Sequence, residues 1–145
     1  MEDKYIWDLT HIYKSQDDVM SAIEEAYKLL EKIKVYKGKL SESNDNIFEV
    51  YSLYEKILVI IEKVYGYAML EYHRDMSNLD AMKLYKKAEN LLTECSEIVS
   101  FVSPELSEIS EDRLKVLLQE ERFAPFYREI EDIINVCKLI FWKIF

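Results

Sequence analysis

The longest uninterrupted periodic run in the chain lies between Asn46 and Asp75, a stretch without proline whose one glycine is Gly66. Its apolar residues Ile47, Val50, Tyr54, Ile57, Ile61, Val64 and Ala68 recur at alternating steps of three and four, which on a 3.6-residue helix draws one continuous stripe. Tyr51, Leu58, Tyr65 and Tyr72 widen that stripe, and Glu49, Ser52, Glu55, Lys56, Glu62 and Lys63 fill the other side. The pattern predicts a helix roughly 45 Å long that buries one broad face and wets the rest. Such a helix is not held by propensity alone, so partners must cover the stripe.

Those partners are legible on both sides. Ser15 stands three before Asp18, a pairing that satisfies free amide protons at a helix start. Val19, Ile23, Ala26, Leu30 and Ile33 then repeat at four and three, Tyr36 extends the row, and Gly38 supplies a left-handed stop. Ser41 to Asp45 reads as a polar connector in which Ser43 or Asn44 caps the central helix. After a break at Arg74 to Asn78, the residues Ala81, Tyr85, Ala88, Leu92, Cys95, Val99 and Val102 again alternate four and three. So short a break forces an antiparallel neighbour, and two matched stripes pack at a shallow angle like a coiled-coil hairpin.

The remaining segments are shorter. Ser103 and Pro104 are expected to stop the third helix and start a short turn with proline at the first helical position, Ser110 is expected to cap the next segment, and Leu114, Leu117 and Leu118 give that one a small apolar face. Arg122 to Ala124 reads as a break and Pro125 as the opening of the last helix, where Tyr127, Ile130, Ile134, Cys137, Phe141 and Ile144 keep the rhythm. At the other end, Tyr5, Ile6, Trp7, Leu9, Ile12 and Tyr13 are too apolar for a free tail and are expected to pack on the bundle. The whole reads as all-α: one domain over residues 1 to 145, a bundle of long antiparallel helices with coiled-coil-like packing plus shorter C-terminal helices.

Composition sharpens this picture. Gly and Pro number two each among 145 residues, which favours long helices over turn-rich sheet. A net charge of −9 has the wrong sign for a nucleic acid or an anionic lipid surface, so neither is expected as a partner. No run approaches the roughly twenty apolar residues needed to span a bilayer, and the opening MEDKYIWDL has no apolar leader, so a cytoplasmic protein is expected. Cys95 and Cys137 stand far apart with no ligand spacing and read as buried, reduced thiols.

Little in the chain suggests chemistry. The zinc-hydrolase motif H-E-x-x-H is absent, and the two histidines are His11 and His73; with Glu71 or Asp75 they make a weak metal candidate. Neither cysteine has a histidine near it in sequence. The acidic pairs Asp17 with Asp18, Glu24 with Glu25, and Glu120 with Glu121 are adjacent, and neighbours on a helix point apart, so they read as solvated faces. No catalytic, cofactor-binding or metal residue is assigned. The eleven tyrosines could line a peptide groove, but most fall on the burial stripes and read first as core.

Several stretches nevertheless form a series: WDLTHIYKS at 7 to 15, YKGKL at 36 to 40, YGYAMLEYHRDMSN at 65 to 78, LYKKAENL at 84 to 91, SFVSPEL at 100 to 106 and YREIEDII at 127 to 134. In this order they resemble the N-terminal part of oligoendopeptidase F, a zinc metallopeptidase. The resemblance implies the helical domain that forms one wall of the peptidase's substrate cavity, ahead of a catalytic domain carrying H-E-x-x-H and a later glutamate ligand. No position here matches those zinc ligands, so none is carried over and no cofactor is expected. The ending NVCKLIFWKIF departs from the family's polar continuation, which reads as a truncated or disrupted family member.

The expectation is therefore a non-catalytic, oligoendopeptidase F-like helical domain with a divergent hydrophobic tail at 135 to 145. Self-association through that tail is expected, with Phe141, Trp142 and Phe145 as anchors. The rival reading is a regulatory module that holds oligopeptides in a tyrosine-lined groove.

Overall fold

The computed structural model describes residues 8 to 144, and of residue 137 and residues 139 to 144 the backbone alone. Among these residues there is helix and no strand. The elements are α1 (Gln16–Lys34), α2 (Asn44–Arg74), α3 (Leu79–Val99), α4 (Val102–Ser107), α5 (Glu111–Leu117) and α6 (Tyr127–Ile144), with 3-10 turns at Leu40–Glu42 and Glu121–Phe126.

The start signals act as their chemistry requires. The hydroxyls of Ser15, Ser43 and Ser110 accept from the amides of Asp18, Asn46 and Arg113, and the Asn78 side chain accepts from Asp80 and Ala81. Gly38, at φ +80, turns the chain where a side chain would be strained. The Glu105 carboxylate of α4 reaches back to this turn and accepts from the amides of Gly38 and Leu40. Leu40, just ahead of the polar connector at Ser41 to Asp45, is fully buried and anchors a 3-10 turn that leads into it.

α2 is the axis of the fold. It packs along α1 on one side and α3 on the other, while α1 also touches α3. Val19, Ile23, Ala26, Leu30 and Ile33 of α1 are all buried, as their spacing predicts. On α2, Ile47, Val50, Ile57, Ile61, Val64 and Ala68 are buried with Leu53 and Tyr67, whereas Tyr54 is only half-buried. Tyr13 meets Tyr67 edge to face at 5.7 Å, and Leu9 is buried, so this part of the N-terminal segment packs on the bundle. Tyr5, Ile6 and Trp7 lie outside the described residues.

Three expectations need correction. On α3 the buried row is Ala81, Leu84, Ala88, Leu91 and Cys95, and Leu92 is 41% exposed. Pro125 does not open the last helix: it sits inside the second 3-10 turn, and α6 begins at Tyr127, whose side chain is exposed rather than part of the buried row. Pro104 occupies the third position of α4, whose first residue is Val102.

That second turn seats the C-terminal helices on the start of α2. Phe123 is fully buried and packs edge to face on Phe48 at 5.7 Å. The Arg122 guanidinium lies 5.1 Å from the Phe48 ring centre and 5.3 Å from that of Phe123, and it pairs with Asp45 at 2.7 Å and Glu120 at 2.8 Å. Arg113 donates to the Ser41 carbonyl at 2.5 Å, and Asn44 donates to Glu120 at 2.8 Å. These contacts tie the turn that leads into α6 to the start of α2, while α6 itself packs on α4 and α5.

Candidate peptide-facing cleft

Between α2 and α6, beside the junction of α3 and α4, the described residues leave a cleft of about 330 Å³. Its floor and walls are Val50, Val99, Val102 and Ile133. Tyr51 and Tyr54 enter from α2, and Glu129 and Asp132 from α6. The two carboxylates are three residues apart, so they share one face of α6, and both side chains are exposed.

Tyr51 is held by its neighbours. Its ring stacks on Phe126 at 5.1 Å, and the residue is only 7% exposed. Its hydroxyl has no hydrogen-bond partner among the described residues, yet it is not sealed from solvent, so it opens onto the cleft. Burial, and then the negative charge of Glu129, push its pKa well above the ordinary tyrosine value. Tyr54 is raised in the same way, first by burial and then by electrostatic interaction with Cys95 and Glu129. Both phenols are therefore neutral at ordinary pH and able to donate or accept.

A second hollow, of about 570 Å³, lies between the end of α1 and the start of α2. Lys32, Lys39 and Lys56 share it with Glu42 and Glu49. All five are exposed and of both signs, so the hollow singles out neither an acidic nor a basic ligand.

The residues singled out for chemistry stay apart from the cleft or lack the means. His11 is exposed with its Nε2 3.9 Å from Asp8, and His73 packs beside the Tyr72 and Tyr85 rings. Among the described residues no three His, Cys, Asp or Glu side chains gather in a way that could hold a metal ion. Glu71 is paired with Arg74 at 2.7 Å, and Asp75 caps Ser77. Cys95 is buried, and burial pushes its thiol pKa up, the opposite of an activated nucleophile. The side chains of Cys137, Phe141, Trp142 and Phe145 lie outside what is described. No described helix is long and apolar enough to cross a membrane.

Tyr51 and Tyr54 fall on the central stripe of the sequence, where they read first as core. Glu129 and Asp132 were missed. The available signal was their i, i+3 spacing on the polar edge of α6, beside Ile130 and Ile133.

No protein-family model matches the chain. Oligopeptidase PepF of Bacillus subtilis is 28% identical over 128 residues, 88% of this chain. Group B oligopeptidase PepB of Streptococcus agalactiae is 27% identical over 90% of it, and an oligoendopeptidase F homolog of Borreliella burgdorferi 27% over 92%. The chain is a relative of oligoendopeptidase F. It spans 19 to 22% of the length of these curated relatives. The crystal structure of a candidate peptidase from Chlamydophila abortus superposes with a TM-score of 0.78, over 94% of this chain and 23% of that one. At 19% identity this likeness concerns the fold alone, and it extends the all-α arrangement to a solved protein. The oligoendopeptidase F-like motifs map onto the fold's joints: YKGKL covers the Gly38 turn, YHRDMSN the α2–α3 turn, and YREIEDII the part of α6 that borders the cleft.

Proposed function

We propose that this chain is the helical wall of an oligoendopeptidase F-type peptide cavity, contributing contacts to peptide and no hydrolytic centre of its own. The observation that supports this reading is a similarity to oligopeptidases along about nine tenths of the chain, in a sequence whose histidines are at positions 11 and 73 and make no H-E-x-x-H. Incubating the purified chain with short peptides and added zinc is expected to leave them intact. Zinc-dependent, chelator-sensitive cleavage would overturn the proposal.

The same reading includes association between copies through α6. Val136 on α6 is 52% exposed and Val116 on α5 is 60% exposed, and the sequence beyond Val136 carries Phe141, Trp142 and Phe145. Light scattering is expected to give a mass above that of one chain, and removal of residues 136 to 145 is expected to bring it down to one. A single-chain mass for the full protein would exclude the association while leaving the cavity-wall reading standing.

A further inference from the structure

We propose that the cleft between α2 and α6 takes one lysine or arginine side chain of an extended oligopeptide. The inference deepens the reading above and rests on it. The alkyl stem would lie on Val50, Val102 and Ile133, and the cationic head would sit between Glu129 and Asp132.

Three features converge on this chemistry. First, the cleft has an apolar floor, charged groups of one sign only, and no basic side chain in its lining. A group that is apolar along its length and positive at its tip matches that order, and the long basic side chains are built this way. Second, neither Glu129 nor Asp132 has an ion-pair or hydrogen-bond partner among the described residues, although this chain pairs many of its exposed acids. Third, the nearly buried Tyr51 presents a hydroxyl without a partner to the same space. A phenol oxygen accepts a hydrogen bond from an ammonium or guanidinium.

Size agrees with a single side chain. At about 330 Å³ the space lies at the small end of ligand pockets, too small for several peptide residues at once. A peptide carboxylate or an acidic side chain would meet the like charges of Glu129 and Asp132, so acidic occupants are disfavoured.

The test is calorimetric titration of the full chain with three capped pentapeptides, alanine throughout except for a central lysine, norleucine or glutamate. The lysine peptide is expected to bind about tenfold or more tighter than the norleucine peptide, and the glutamate peptide not to saturate. A Glu129→Gln, Asp132→Asn double variant is expected to erase the preference for lysine with no loss of thermal stability, since both side chains are exposed. Tyr51→Phe, which keeps the ring, is expected to weaken the lysine peptide alone. Equal binding of the lysine and norleucine peptides, or an unchanged preference in the double variant, would overturn the inference and leave the peptide-wall reading intact. Binding of none of the three, together with none from a mixed oligopeptide pool, would remove both.

Discussion

Replacing Phe123 by alanine is expected to cost about 3–5 kcal/mol of folding stability, the range for truncating a buried aromatic. The ring has no exposed surface, meets Phe48 edge to face, and is flanked by the Arg122 guanidinium that also covers Phe48. Its removal leaves a hole between the start of α2 and the turn that carries α6, and strips one face from a cation that then rests on a single ring. Phe123→Leu keeps most of the volume and is expected to cost about 1 kcal/mol. Urea unfolding of both variants gives the comparison. A loss below about 1 kcal/mol for the alanine variant would mean that the turn is not seated on α2, and the placement of Glu129 and Asp132 opposite Tyr51 would fall with it.

The parts of this architecture that depend on local signals could be read from the chain. Helix starts at Ser15, Ser43 and Ser110 need only a hydroxyl and three following residues, and the α2–α3 turn needs only Asp75 to Asn78. The buried row of α1 follows from spacing because α1 has one dominant apolar face. Leu40 and Phe123 were not legible in the same way. Each lies in a short 3-10 turn, with no period to announce it, and each is buried by partners far away in sequence: the segment around Glu105 for the one, Phe48 for the other. The cleft belongs to this second kind. Tyr51, Val102 and Asp132 line one cleft because the Arg122 and Phe123 turn ties the start of α6 to α2, and periodicity within one helix cannot report where another helix is placed.

Leu91 and Leu92 give the sharpest contrast between the two kinds of information. Leu91→Ala is expected to cost about 2–5 kcal/mol, and Leu92→Ala less than about 1 kcal/mol. Along α3 two rows satisfy the same three-four alternation: 81, 85, 88, 92, 95 and 81, 84, 88, 91, 95. They share Ala81, Ala88 and Cys95 and diverge by one residue, a rotation of about 100° at the positions that differ. A hairpin of α2 and α3 alone would favour the first row, and Tyr85 does lie toward α2, stacked on Tyr72 and bonded to the Tyr65 hydroxyl at 3.0 Å. α1 decides the matter. It lies against the other flank of α3, where the Tyr27 hydroxyl donates to Glu94 at 3.2 Å, and so closes over Leu84 and Leu91 while leaving Leu92 open. Thermal or urea unfolding of the two alanine variants measures the difference directly. Equal losses, or a larger one at Leu92, would mean that α3 is turned toward α2 alone and that the three-helix core is not closed by α1.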